Sequence, residues 1–159
     1  MSVLGLLVFA FGLTLRAFVS RHSHSGQNTP PMFGDFEAQR HWQEITVNLP
    51  ASEWYFNTTD NDLNYWGLDY PPLTAYHSFL MGKLAEKINS SYVALGASRG
   101  LEDELHKMFM RTTVLLADVL IYAPAVMIFG WAANRGDETR SLTSSVLLLT
   151  YPGKTIIKH

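Results

Sequence analysis

Apolar residues run almost unbroken from Val3 to Val19, interrupted by Thr14 and Arg16. Seventeen helical residues rise ~25 Å, the short end of what crosses a bilayer. Arg16, near the end of the run, is placed to snorkel toward headgroups. A cleaved signal peptide competes with a retained anchor. No Lys or Arg precedes the run and Ala17-Phe18-Val19-Ser20 is a weak cleavage site, so flank and length favour the anchor. Residues 21–31 are polar, with Gly26, Pro30 and Pro31, and read as loop. The pattern then turns helical. Ala38, Trp42, Ile45 and Leu49 fall at i, i+4, i+7 and i+11, with Glu37, His41 and Glu44 on another face. Gly34 or Asp35 is expected to cap this helix and Pro50 to end it. An amphipathic helix of that aromatic weight suits a membrane surface.

Residues 51–72 form a loop dense in aromatics: Trp54, Tyr55, Phe56, Tyr65, Trp66 and Tyr70. Tyr70-Pro71-Pro72 leads into a second helix over 73–87, followed by loop over 88–104. Thr112 to Ala133 is the clearest membrane span, with Asp118 and Pro124 inside it; Pro124 predicts a kink. A third apolar segment starts at Leu142, and ten residues to Tyr151 are too few to span. The expected layout is a first transmembrane helix (1–20), a loop with amphipathic helices (21–111), a second transmembrane helix (112–133), a turn (134–141) and the truncated start of a third (142–159). Arg135 and Arg140 place the turn in the cytosol and residues 21–111 in the lumen, although Arg16 and Arg21 weigh the other way. Sequons at Asn57-Thr58-Thr59 and Asn89-Ser90-Ser91 suit a luminal loop.

Composition agrees with a membrane protein. Charged residues are 16% of the chain and aromatics 13%, against roughly 25% charged in soluble domains. The net charge of −2 gives no reason to propose a nucleic-acid partner, and the absence of cysteine excludes disulfides and thiolate chemistry. No cofactor is expected: Gly153-Lys154-Thr155 mimics the end of a phosphate loop but position 148 is Leu rather than the upstream glycine.

Two carboxylates stand out. Asp35 and Asp69 each sit beside aromatics at a loop-to-helix junction. Convergent carboxylates serve acid–base chemistry on a sugar hydroxyl. Spacing alone favours plainer roles, Asp35 as a cap and Asp69 as the residue ordering the Pro-Pro turn. Glu37, His41 and Glu44 share one helix face, but a single helix supplies too few ligands, so no metal is expected. Arg40 is either a phosphate partner or a solvated cation. The aromatic loop either stacks on sugar rings or forms an interfacial belt, and the belt suits most of its members. Asp118 is read as a helix-packing contact in preference to part of a pathway.

The runs Pro31-Met32-Phe33-Gly34-Asp35-Phe36-Glu37-Ala38-Gln39-Arg40-His41-Trp42, Trp54-Tyr55 and Tyr65-Trp66-Gly67-Leu68-Asp69-Tyr70-Pro71-Pro72-Leu73-Thr74-Ala75-Tyr76-His77-Ser78 resemble the endoplasmic-reticulum dolichyl-phosphate-glucose glucosyltransferases. The Gly-Asp-Phe-Glu-Ala-Gln-Arg-His-Trp run is similar to the branch that adds the first glucose, in α-1,3 linkage, to dolichyl-pyrophosphate-linked oligomannose. The resemblance extends from residue 1 to Gly153. It implies an all-α membrane protein, the N-terminal fragment of a multi-spanning GT-C fold, with membrane-parallel helices in a long luminal loop of the endoplasmic reticulum. It implies dolichyl phosphate glucose as donor, the dolichyl-pyrophosphate-linked oligosaccharide as acceptor, contact with membrane lipid, and inversion at the anomeric carbon without a metal. The family's general base maps onto Asp35. Asp69, Arg40, His41, Trp66 and Tyr70 fall in the matched motifs as substrate-binding candidates. After Tyr-Pro-Gly the family continues with an Asp/His-rich motif and further helices, where this chain reads Lys154 to His159. The chain is therefore expected to lack most of the donor site, and the competing expectation is an inactive membrane fragment with at most an interaction role.

Overall fold

The computed structural model describes residues 3–150, and all regular structure among them is helical. The end of the third apolar segment at Tyr151 and the Gly153-Lys154-Thr155 run lie outside the described residues. The helices are α1 (Val3–Val19), α2 (Gly34–Asn48), α3 (Pro72–Ile88), α4 (Glu104–Ala117), α5 (Ala123–Ala133) and α6 (Glu138–Thr150). A short 3-10 turn, Ser90–Val93, follows α3, and one π-turn, Asp118–Tyr122, joins α4 to α5. The chain divides into two compact units. One is Ser23–Phe109; the other combines the segment ending at His22 with that starting at Met110.

In the Ser23–Phe109 unit α2 is the central element. Its apolar stripe packs as expected: Ala38, Trp42 and Ile45 join Trp54, Leu68 and Ala75 in one core, with Leu49 against it. Its polar face is buried as well, from Glu37 to Thr46. A helix buried on both faces does not lie on a membrane surface, which corrects the expectation for this element. The outward apolar face belongs to α3. That helix turns its small residues Ala75, Ser78, Gly82 and Ala85 inward. Leu73, Tyr76, Leu80, Leu84 and Ile88 are exposed. Small residues are required inside because the helices nearly touch. A Cβ on Gly82 would fall 2.6 Å from Val47 Cγ2 and 2.9 Å from the Gln43 carbonyl. Most of the aromatic loop is likewise packed rather than displayed: Trp54 is buried and donates its indole N–H to the Leu49 carbonyl at 3.0 Å.

The run Glu104–Ala133, most of which belongs to the other unit, is the one described helix long and apolar enough to cross a membrane, and α1 of that unit is a shorter apolar helix of 17 residues. Leu120, Ile121, Ile128 and Phe129 are exposed. Glycines set the approach of its helices: a Cβ on Gly130 would meet Ser145 Oγ at 2.7 Å, and one on Gly12 would meet the Leu149 carbonyl at 3.4 Å. Close approach through small residues is how apolar helices gain contact without a solvent-driven force. Arg16 does not snorkel. It pairs with Asp118 at 3.1 Å, donates to the Leu149 carbonyl and lies 5.3 Å from the Tyr122 ring centre. Asp118 is thus a packing contact, as its sequence context favours. The kink expected from Pro124 takes the form of the π-turn just before it. Proline cannot donate to the carbonyl four residues back, and a widened turn removes that demand.

Candidate functional site

Building the site starts with the backbone around Gly34. Phe33 has φ +56° and Gly34 φ +68°, both left-handed. A Cβ on Gly34 would stand 2.4 Å from the Ser25 carbonyl, and one on Gly26 would stand 2.3 Å from Gly34 N, so two glycines let the chain fold back on itself here. The cap position is taken by Phe33, with no side-chain cap bond. Asp35 is therefore not the cap. It stands in the first turn of α2, where a carboxylate is favoured by the helix dipole, and its side chain is exposed with no hydrogen bond or ion pair among the described residues.

Asp69 is exposed in the same way and makes no side-chain contact of that kind among the described residues. Its turn is ordered by other groups. Tyr55 OH donates to the Tyr70 carbonyl at 2.8 Å, and the Pro71 carbonyl accepts from Thr74 and Ala75 at the start of α3.

Trp66 ties the two acidic stretches together. Its indole N–H donates to the Met32 carbonyl at 2.6 Å, and its own carbonyl accepts from the Trp42 indole at 2.8 Å. Its φ of +50° is costly for a bulky residue and is held by those two bonds. Met32 precedes Asp35 by three residues and Trp66 precedes Asp69 by three, so one side chain couples both. Tyr70 packs its ring 5.1 Å from Trp42 yet stays 51% exposed.

Arg40 and His41, on the same helix as Asp35, are both 0% exposed. Arg40 Nε and Nη2 grip Glu37 at 2.7 and 2.6 Å, and Nη2 also reaches Glu44 at 2.6 Å. Its Nη1 donates to Ser98 Oγ and to the Tyr92 carbonyl. Glu44 further accepts from Ser98 Oγ at 3.0 Å and from Gly96 N at 2.7 Å, with His41 Nδ1 at 3.3 Å. Tyr65 OH donates to Glu37 at 2.8 Å. Two carboxylates, one guanidinium and their satellites thus form a closed network under the site. Arg40 has neither surface nor free donors to offer a ligand phosphate.

Charges in this network reinforce one another. Burial alone would raise the Glu44 pKa, but His41, Arg40 and Gly96 hold it at about 2. Burial would lower that of Arg40, and Glu37 and Glu44 outweigh it, so it rises. Tyr65 is pushed up by burial and by its bond to Glu37. His106, stacked 4.4 Å from Tyr92 and without a ring hydrogen bond among the described residues, is lowered to about 4 by burial, with Arg40 adding to the effect.

These shifts set an acid limit on the Ser23–Phe109 unit. His106 takes a proton in the unfolded chain near 6.5 but in the folded one only near about 4, so stability drains as pH falls between those values. Glu44 contributes stability that is full above 4.5 and is lost as pH drops toward about 2. The melting temperature of the detergent-solubilised protein is expected to fall as pH is lowered from 6.5. A His106→Gln variant should flatten the part of the curve between pH 6.5 and 4; an identical slope in that variant would exclude His106 as the source.

Ser98 and His106 carry weight here and were not singled out from the sequence. The available signal for Ser98 was the run Ser98-Arg99-Gly100, two polar residues closed by a glycine.

The family model for the ALG6, ALG8 glycosyltransferase family matches residues 8–159. A Rattus norvegicus protein, "Dolichyl pyrophosphate Man9GlcNAc2 alpha-1,3-glucosyltransferase", is 56% identical over 153 residues, which are 96% of this chain and 30% of the relative. Proteins with the same designation, marked probable, are 53% identical over 158 residues in Drosophila melanogaster and 47% identical over 159 in Arabidopsis thaliana. Each alignment covers 97% of this chain, with 33% and 30% of the relatives. The chain spans about 30% of the length of the curated relatives it matches.

Proposed function

Because the chain belongs to the ALG6, ALG8 glycosyltransferase family, we propose that the protein carrying it glucosylates a lipid-linked oligosaccharide. The acceptor is dolichyl-pyrophosphate-linked Man9GlcNAc2, named in the relatives, and the linkage formed is α-1,3. The donor is dolichyl phosphate glucose. The protein is a multi-spanning GT-C enzyme of the endoplasmic reticulum membrane. Its spans include Val3–Val19 and residues 112–133, with α6 beginning another, and residues 134–141 form a cytosolic turn. The segment between the first two spans is luminal, and α3 sets its exposed apolar stripe into the membrane interface.

Asp35 is the base. It takes the proton of the acceptor hydroxyl as that oxygen attacks the anomeric carbon of glucose. The bond from that carbon to the phosphate oxygen breaks, and dolichyl phosphate leaves. A phosphate leaving group needs less protonation than an alkoxide, so one well-placed base is enough. Asp69 shapes the sugar site with Tyr70, whose ring is accessible, and Trp66 holds both acidic stretches in register. Arg40 and His41 serve binding indirectly, by fixing the α2 framework. The observation carrying this reading is the contrast within one helix: Glu37 and Glu44 are consumed by Arg40, while Asp35, in the family-matched stretch, is exposed and unengaged.

The test is glucose transfer in membranes from cells lacking the endogenous enzyme. Membranes carrying the full protein should glucosylate lipid-linked Man9GlcNAc2 when dolichyl phosphate glucose is supplied. Transfer from a nucleotide sugar with no lipid-linked donor would refute the donor assignment.

A further inference from the structure

Five basic side chains lie within Ser23–Phe109, and four have a role or place that removes them from the site. Arg40 is buried between Glu37 and Glu44, Lys83 pairs with Glu86 at 3.0 Å, and Lys107 pairs with Glu104. Lys87 is exposed too, but it stands in the last turn of α3, ~22 Å along the helix from the end that follows Asp69. Arg99 remains. It is exposed, forms no ion pair among the described residues, and holds its guanidinium 4.6 Å from the Tyr65 ring centre.

Its neighbours fix it beside the acidic stretch. Ser98 is buried and bonded to both Arg40 and Glu44. Gly100 lies so close to Phe33 that a Cβ there would fall 2.5 Å from Phe33 Cε2. Phe33 is the cap residue of α2, two positions before Asp35. Tyr65, under the guanidinium, is bonded to Glu37 and adjoins Trp66. An exposed loop arginine is usually mobile; here the residues on both sides are anchored, and the ring below limits the side chain. A cation held over a ring, outside any ion pair among the described residues though within reach of the Asp62 charge, and set in a loop that packs on the α2 cap, suits a ligand whose anion arrives from solvent or membrane.

We infer that Arg99 binds a phosphate oxygen of a polyprenyl phosphate or pyrophosphate substrate next to Asp35. The guanidinium fork matches phosphate oxygens bidentately, and the aromatic face below it reduces the freedom lost on binding. This inference rests on the glucosyltransferase reading. Both proposed lipid substrates carry the required group, as donor phosphate or acceptor pyrophosphate.

The experiment uses the full protein in membranes, with each lipid varied in turn at a saturating level of the other. R99M keeps a stem to cover Tyr65 and removes the charge; R99K keeps the charge without the fork. R99M is expected to raise KM for one of the two lipids by about tenfold or more, the loss of a charge-assisted contact. It should leave the melting temperature unchanged, and R99K should fall between R99M and the parent. The lipid whose KM rises identifies the source of the phosphate. If R99M accumulates poorly, R99Q replaces it. Unchanged KM for both lipids in whichever neutral variant folds overturns the proposal, as does an R99K indistinguishable from R99M with a lowered melting temperature in both. Asp35→Asn separates the two readings. Inactive D35N with unchanged KM in R99M removes Arg99 alone, whereas absence of any transfer by the parent protein removes the reading beneath it.

Discussion

Asp35→Asn is expected to reduce glucose transfer by a factor on the order of 10²–10⁴, the range that a positioned general base supplies. Stability should not change, because the Asp35 side chain makes no hydrogen bond or ion pair among the described residues. Asparagine has the same shape and cannot accept the proton. The measurement is the fraction of lipid-linked Man9GlcNAc2 converted in membranes normalised to protein level. Asp69→Asn is the useful comparison. If Asp69 shapes a substrate site, its loss should act on KM more than on turnover. Parental transfer by D35N would return the base assignment to Asp69 or to a residue elsewhere in the protein.

Arg40→Ala should be the most damaging change to the fold. It leaves the buried Glu37 and Glu44 without their cation, and breaking a buried pair by removing one partner costs roughly 3–5 kcal/mol. That is a large share of the stability of any domain. Arg40→Lys should not rescue it, because one ammonium cannot reproduce a fork gripping Glu37 through two nitrogens and reaching Ser98 with a third. The expected readout is a low steady-state level and rapid proteolysis within residues 23–109. A joint replacement of Glu37, Arg40 and Glu44 by apolar residues of similar volume should be far milder, since desolvating the trio is itself unfavourable. Parental stability in R40A would show that the network is incidental.

Helix placement was largely legible in the sequence. The apolar run over Val3–Val19 coincides with α1, and the Pro-Pro entry and the periodic stretch before Pro50 locate α3 and α2 to within a residue or two. Faces were harder to read. Charged residues at Glu37, Arg40 and Glu44 have the spacing of a solvated helix face, and only tertiary placement shows that the same spacing closes an ion network in the core. On α3 the inversion is complete. Small residues point inward and large apolar ones outward, so periodicity finds the stripe but not the side it faces. In a membrane protein lipid can take the place of a core, and hydropathy alone cannot separate the two. Ser98 to Gly100 belongs to a loop without period, and its tie to Phe33 depends on a chain reversal at Gly26 and Gly34. Of the candidate site, the positions of Asp35 and Asp69 were legible as unusual; their freedom from internal partners was not.

The π-turn at Asp118–Tyr122 also resets rotational phase. The Ala123 N–H bonds to the Asp118 carbonyl, five residues back. In an unbroken α-helix those two residues would sit about 140° apart around the axis. The wider turn narrows that angle. Asp118 can therefore meet Arg16 of α1 on the same flank from which Ala123, Val126 and Gly130 are buried. Without the extra residue in that turn, the ionic contact and the small-residue stripe would face different directions. The widened turn thus works as a frame correction that lets one helix address two kinds of neighbour along a single line.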